Sequence, residues 1–127
     1  MNDVLLDTHA WAWSLAGEER LSKAAGAAID AAELVFVSPI SFFEIAQKVR
    51  LGKWPQMEPF VRELPSLLSR QGGSSAPFDP ATAVAAGLLD WAHRDPFDRL
   101  MAATAIRQGL PLVSADSAFD GIVERIW

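Results

Sequence analysis

Short apolar runs alternate with longer amphipathic stretches along this chain, and the alternation predicts strands interleaved with helices. The predicted strands are residues 4–6, 34–37, 76–78, 110–113 and, as a final edge strand, 122–127. The predicted helices are residues 9–16, 22–33, 38–51, 81–89 and 95–108. Strands that alternate with helices pair in parallel through right-handed crossovers. The pattern therefore predicts an α/β fold, a three-layer sandwich around a central, mostly parallel sheet.

Polar residues followed by proline mark the starts of three predicted helices, at Ser38, Asp79 and Asp95. Each offers a side-chain oxygen as an N-cap, and the proline suits the first turn. Residues 57–70 are also amphipathic, but Pro65 must kink, restart or shorten any helix there. The glycine- and serine-rich residues 72–75 are predicted to form a loop.

Acidic residues follow the predicted strands or lie in the helices after them. Asp7 and Asp116 stand at the carboxyl ends of two strands, and Glu44 and Asp98 lie in the first two turns of two helices. The carboxyl ends of parallel strands meet at one edge of the sheet, where such folds place their functional crevice. Carboxylates gathered there repel one another unless a cation neutralises them, so the sequence predicts a divalent-metal site.

Length and composition narrow these expectations. The 127 residues fit one domain, residues 1–127. The chain has no cysteine, which excludes disulfides and thiolate ligands and favours hard cations such as Mg²⁺ or Mn²⁺. No apolar run reaches membrane-spanning length and no basic leader precedes the first one, so a cytoplasmic protein without membrane partners is expected. A net charge of −5 argues against a broad basic face that coats nucleic acid, although a nuclease remains possible.

With these positions identified, the chain resembles the PIN-domain family, and within it the VapC-type toxins of bacterial toxin–antitoxin pairs. The matching segments are LLDTH (5–9), SPISFFEIAQKVRLGK (38–53), HRDPFDRLMAATA (93–105) and LVSAD (112–116). They are spread from residue 5 to residue 116 and stand in the family's order. The resemblance implies a Mg²⁺- or Mn²⁺-dependent endoribonuclease that forms homodimers, cleaves an RNA substrate and is inhibited by a cognate antitoxin protein.

The resemblance also implies roles for individual residues. The catalytic acids and candidate metal ligands are Asp7, Glu44, Asp98 and Asp116. Asp7 and Asp98 are expected to bind the ion directly and Asp116 directly or through water, whereas Glu44 completes the shell or orients the attacking water. Hydrolysis by metal-activated water would leave a 5′-phosphate and a 3′-hydroxyl. One ion and two remain equally open.

Further side chains are candidates for contacts around the metal. The hydroxyls of Thr8 and Ser114 could orient carboxylates or touch a phosphate. Arg94 and Arg99 could bind phosphate, since a guanidinium does so with two parallel hydrogen bonds, although Arg99 could instead pair with an acid. His9 and His93 flank the same edge, and a structural or exposed role is favoured for both.

Each acid also has a purely structural interpretation. Glu44 precedes Lys48 by four residues, which favours an ion pair on the helix surface. Asp98 could stabilise the positive end of its helix, and Asp7 and Asp116 could cap turns. These interpretations are simple one at a time, but the convergence of all four acids at one edge favours the metal site.

Three other functions were weighed. A phosphotransferase of the haloacid dehalogenase type needs a second acid two residues after Asp7, where this chain has His9. A receiver-type signalling domain needs a lysine after the strand that ends at Val113, and none follows. A PIN-like module that binds RNA or protein without hydrolysis is the remaining alternative, and it would be expected to have lost some of the acids.

Overall fold

Five strands and six α-helices follow one another along residues 2–127, the part of the chain that the structure, a computed structural model, describes. The strands are β1 (Val4–Leu6), β2 (Val35–Val37), β3 (Ser74–Ser75), β4 (Leu112–Val113) and β5 (Arg125–Ile126). The helices are α1 (Thr8–Ala16), α2 (Lys23–Ala31), α3 (Pro39–Arg50), α4 (Leu64–Arg70), α5 (Pro80–Leu88) and α6 (Pro96–Gln108).

The strands form one sheet in the order β3-β2-β1-β4-β5, and every pair in it is parallel. Successive side chains of a strand point to opposite faces. In β1, Val4 and Leu6 therefore pack into one core cluster, whereas Leu5 packs into a second. A separate core on each face of the sheet confirms the predicted three-layer α/β sandwich.

The two cores differ in the helices that supply them. The first contains Trp11 and Ala12 of α1, Ile45 of α3 and Leu64 of α4. The second contains small residues of α6 together with Met101 and Phe119. Helix α5 packs against α6. No helix within residues 2–127 has the length and apolar character that crossing a bilayer requires.

The chain adds strands to the sheet on both sides of β1. From β1 the chain moves to β2 and β3 on one side, and it later returns to β4 and β5 on the other. The amide of Asp7, just past β1, donates to the carbonyl of Val113 in β4 at 3.0 Å. A crevice opens where the connections of a parallel sheet diverge, so this fold places one beside the carboxyl ends of β1 and β4.

The helix starts confirm the predicted caps. The side chains of Ser22, Ser38, Asp79 and Asp95 each accept hydrogen bonds from the backbone of the first turn of α2, α3, α5 and α6 respectively. Proline follows the last three caps directly. Helix α6 ends at Gly109, which adopts a left-handed conformation with φ of 65°.

Two predictions between α3 and α5 are wrong. Residues 72–75 are not all loop, because Ser74 and Ser75 form β3, and residues 76–78 are not a strand. The edge strand is held by backbone pairing to Phe36 and Val37, which a hydrophobicity pattern cannot reveal in two exposed serines. Residues 57–70 form short 3₁₀ turns followed by α4. Pro65 lies in the first turn of α4, so the helix is short. A shortened helix was one of the outcomes expected from this proline.

Candidate metal centre

Acidic side chains from four parts of the chain line one cavity of about 220 Å³ beside β1 and β4. The lining residues are Asp7, Thr8, His9, Glu44, Lys48, Asp95, Phe97, Asp98, Met101 and Asp116. The structure therefore brings together all four of the acids that the sequence singled out. Asp95, expected only to cap a helix, caps α6 and also borders the cavity. Five carboxylates thus face a single lysine in this lining.

Asp7 lies at the centre of this arrangement, directly after β1. Its Oδ1 accepts a hydrogen bond of 2.8 Å from the amide of Ala10 and so caps α1. Burial raises the pKa of the Asp7 carboxyl to about 6, and the charges of Glu44 and Asp116 add to the increase against the hydrogen bonds from Ser114 and Ala10. A carboxylate that is costly to ionise in the free protein is one that a nearby cation would stabilise.

Asp98 lies in the first turn of α6 and pairs with a histidine. Its Oδ2 is 2.6 Å from Nε2 of His93, and about 30% of each side chain is exposed. The hydrogen bond raises the pKa of His93. Burial raises the pKa of Asp98 and outweighs the opposing effect of the histidine. The imidazole is thus hydrogen-bonded to one of the acids that line the cavity, although His93 itself is not part of the lining.

Glu44 enters from the second turn of α3. Its Oε2 accepts a hydrogen bond of 2.9 Å from Nζ of Lys48, so the predicted helix pair exists. Both residues also line the cavity. The residue is buried, with 8% of its surface exposed. The structural interpretation and the position at the site are therefore both correct for Glu44.

Hydroxyl groups surround the acids. The Oγ1 of Thr8 lies 2.8 Å from Oγ of Ser41, and both residues are buried. Ser114 is fully buried, its side chain hydrogen-bonds Asp7, and its Oγ accepts from the amide of Asp116 at 3.1 Å. The expected hydroxyls thus contact the acids or the helices that carry them.

Arg94 and Arg99, the candidates for phosphate contact, have different surroundings in the structure. All five N–H groups of Arg99 point to backbone carbonyls. The acceptors are the carbonyls of Ala86, Gly87, Leu89, Trp91 and His93. Arg94 is exposed and borders a different cavity with Arg99. Neither arginine lines the acidic cavity, because the Arg99 guanidinium is occupied by the backbone carbonyls and Arg94 borders the other cavity.

His9 belongs to an aromatic group beside the cavity. Its ring centroid lies 4.7 Å from that of Trp54 and 5.6 Å from that of Trp13. Nζ of Lys48 lies 5.4 Å above the Trp54 ring. Trp11, by contrast, is fully buried in the first core. Trp11 and Trp13 of the same helix thus have different surroundings.

The sequence interpretation placed His93 at this edge of the sheet but did not predict its contact with Asp98, and it did not place Lys48 at the cavity. Lys48 carried a signal, because it follows Glu44 by one helical turn. His93 lies in a non-helical segment before α6, where no periodicity fixes the direction of a side chain. Within residues 2–127, the structure places ligand atoms of His93, Asp98 and Asp116 within 4.8 Å of one another.

The donor set fits a divalent cation. Oxygen atoms of clustered carboxylates are the ligands that Mg²⁺ and Mn²⁺ prefer. Burial is the main cause of the raised pKa of Asp7, and the negative charges of Glu44 and Asp116 raise that pKa further. A cation of charge +2 would relieve both the repulsion and the loss of solvent at Asp7.

Comparison with known proteins gives a consistent result. A family model described as the PIN domain matches residues 4–124. The chain is 38% identical over 117 residues to Ribonuclease VapC22 of Mycobacterium tuberculosis, covering 91% of this chain and 88% of that protein.

Solved structures with the same fold include a toxin–antitoxin complex from Klebsiella pneumoniae, with a TM-score of 0.70 and 18% identity. That match covers 98% of this chain and 96% of the other. FitAcB from Neisseria gonorrhoeae matches with a TM-score of 0.56 and 22% identity, over 96% and 95% of the two chains. At these identities the two structures support the fold.

Proposed function

This chain belongs to the PIN-domain family, and we propose that it is an endoribonuclease of the VapC type, the toxin of a toxin–antitoxin pair. The observation that carries the proposal is the cavity in which Asp7, Glu44, Asp98 and Asp116 meet. The ribonuclease to which the chain is 38% identical supports the reaction class.

We assign Asp7, Asp98 and Asp116 as the residues that hold a divalent metal ion, with Glu44 beside them. Mg²⁺ and Mn²⁺ are the proposed ions, since both accept carboxylate oxygens. When bound, such an ion supplies charge stabilisation to a phosphodiester and lowers the pKa of water.

The protein's own groups position the reactants. Hydrogen bonds to Ala10 and Ser114 hold the Asp7 carboxylate toward the cavity. Glu44 is held by its pair with Lys48, and the role we assign to it is to accept a proton from an attacking water. The ammonium of Lys48 is the positive group of the lining and is suited to meet a phosphate.

The aromatic group beside the cavity suits unpaired RNA. Lys48 lies over the ring of Trp54, which packs against His9, and His9 packs in turn against Trp13. Nucleobases stack on such rings while a cation meets the backbone. We therefore propose single-stranded RNA, or an unpaired loop, as the substrate. Cleavage is expected to leave a 5′-phosphate and a 3′-hydroxyl.

Two protein partners are proposed. An antitoxin is inferred from the family and from the toxin–antitoxin complex that shares the fold. A homodimer is proposed because Val84 and Leu88 lie one turn apart on α5 with 61% and 79% of their surfaces exposed. Adjacent exposed apolar side chains of this kind favour burial against another protein surface.

The decisive experiment is an RNA cleavage assay with the wild type and Asp98→Asn, in Mg²⁺ or Mn²⁺ and in EDTA. We expect EDTA or the substitution to lower the cleavage rate at least a hundredfold, since the cation loses its ligand or is removed. End-group analysis of the products tests the direction of cleavage.

A matched control is Asp79→Asn, which makes the same change at an aspartate that starts α5 and lies outside the acidic cavity. This variant should cleave RNA at the wild-type rate. Equal cleavage by the wild type and Asp98→Asn, or full activity in EDTA, would contradict the proposed mechanism and favour a PIN-like module that binds without hydrolysis.

A further inference from the structure

We infer that the imidazole of His93 is a direct ligand of the metal ion in the acidic cavity, and that this nitrogen gives the site a preference for Mn²⁺ over Mg²⁺. The inference rests on the proposed function and extends it, because the family resemblance assigned only carboxylates to the metal.

The distances between donor atoms carry the inference. Nε2 of His93 lies 2.6 Å from Oδ2 of Asp98, and ligand atoms of His93, Asp98 and Asp116 all lie within 4.8 Å of one another. In an octahedral shell with bonds of about 2.1 Å, neighbouring ligands are roughly 3 Å apart and opposite ligands roughly 4 Å apart. Small side-chain movements would therefore bring all three atoms to a common ion, and the proton that Nε2 shares with Oδ2 of Asp98 in the free protein would be released to solvent as Nε2 binds.

The histidine is held in place before any ion arrives. Its ring packs against Trp91 with centroids 4.9 Å apart, and Trp91 packs in turn against Phe119 at 5.6 Å. The carbonyl of His93 accepts a hydrogen bond of 2.9 Å from Nη1 of Arg99. Backbone and ring are thus both fixed, so binding requires little ordering of this side chain.

The choice of ion follows from the donor type. Mg²⁺ binds oxygen almost exclusively and keeps several waters, whereas imidazole suits transition metals. A site that adds one imidazole to its carboxylates should therefore bind Mn²⁺ more tightly than the same site with oxygen donors alone. Loss of the imidazole should reduce this preference and leave a carboxylate site that still takes up Mg²⁺.

Electron paramagnetic resonance of bound Mn²⁺ tests the inference without any cleavage. A directly bound imidazole gives a ¹⁴N hyperfine coupling in pulsed spectra, and the chain has two histidines, His9 and His93, that can be exchanged separately. We expect the coupling in the wild type and in His9→Gln, and its loss in His93→Gln. Competition titrations should show the ratio of Mn²⁺ to Mg²⁺ affinity falling about tenfold in His93→Gln and remaining unchanged in His9→Gln.

Labelling the wild type with ¹⁵N-histidine gives a test that does not depend on how well the variants fold. If a histidine binds the ion, the ¹⁴N coupling should be replaced by a ¹⁵N coupling. Bound Mn²⁺ without nitrogen coupling, or a coupling that persists in His93→Gln, would overturn the inference while leaving the proposed ribonuclease intact. If neither the wild type nor His9→Gln takes up Mn²⁺ or Mg²⁺, both the inference and the proposed function fail.

Discussion

At the scale of single residues, the acids of the cavity serve the local structure as well as the site. Oδ1 of Asp7 caps α1, and Oδ1 of Asp116 accepts from the amide of Ala118. Glu44 pairs with Lys48 on its own helix. These local bonds fix the carboxylates in position, so the structural interpretation of each acid explains how the candidate site is kept in shape.

The environment of Asp7 predicts that the candidate site destabilises the metal-free protein. Its folded-state pKa of about 6 lies above the ordinary value of 3.8, so stability is lost as the pH rises between those values. In EDTA at pH 7.5 we expect Asp7→Asn to be more stable than the wild type by about 2 kcal/mol, roughly 5–10 °C in Tm. Thermal melts should show this gain shrinking at pH 4.5, where Asp7 is mostly protonated.

Asp79 provides the comparison of opposite sign. Hydrogen bonds from the backbone and side chain of Thr82 lower the pKa of this N-cap carboxyl, so ionisation stabilises the folded state. Asp79→Asn should therefore lower Tm at pH 7.5, and the loss should diminish as the pH falls through the lowered pKa. A decrease in Tm for Asp7→Asn equal to that of Asp79→Asn would refute the account of strain at the cavity.

At the scale of elements, Arg99 joins α6 to the end of α5 and the turn that follows. Its guanidinium accounts for five hydrogen bonds to carbonyls between Ala86 and His93. Those carbonyls belong to the last turn of α5 and to the segment that carries His93. The arginine thus fixes the path of the chain into the candidate site, although it does not line the acidic cavity.

The substitution Arg99→Lys tests this structural role. Lysine keeps the charge, but its single ammonium group cannot donate to five carbonyls that surround a planar guanidinium. We therefore expect the free energy of unfolding in urea to fall by about 2–3 kcal/mol. Arg94→Lys, at an exposed neighbouring arginine, should change it by less than about 0.5 kcal/mol. If Arg99→Lys is as stable as the wild type but binds RNA more weakly in a salt-dependent way, the structural role is wrong. Such a result would favour the phosphate contact that the sequence suggested.

At the scale of the whole molecule, the order of the strands creates the candidate site. Asp7 follows β1 and Asp116 follows β4, the two strands between which the connections diverge. Glu44 and Asp98 then enter from α3 and α6. Residues far apart in the chain therefore meet at one point of the sheet, as the sheet topology requires.

The exposed face of α5 predicts the assembly of the molecule. Leu88→Glu places a charge in the proposed dimer contact. Because burying that carboxylate on dimerisation is costly, the dimer dissociation constant should rise by at least about tenfold. Leu51→Glu makes the same change at a side chain that is 49% exposed beyond α3 and should leave the dimer intact. Sedimentation equilibrium measures both, and a wild-type monomer, or dissociation by Leu51→Glu alone, would rule out the α5 contact.

The sequence predicted best the features whose signals are local. Ser38 and Asp95, each followed by proline, gave the starts of α3 and α6, and the apolar residues 4–6 gave β1. The two serines of β3 carried no such signal, because pairing with β2 decides that this segment is a strand. The pattern of strands and helices was enough to predict that the four acids lie at one edge of the sheet. It was not enough to predict the hydrogen-bond partners of Arg99.

The sequence by itself determined the alternation of strands and helices, the family, and the set of carboxylates beside the carboxyl ends of the strands. These features depend on hydrophobic periodicity, capping and residue type, which are properties of neighbouring residues. The tertiary structure alone decided the closeness of His93 to Asp98, the use of Arg99 on carbonyls and the position of β3. Each of those depends on where a side chain points or on which strands pair at the edge of the sheet. Both are fixed by contacts between residues far apart in the sequence.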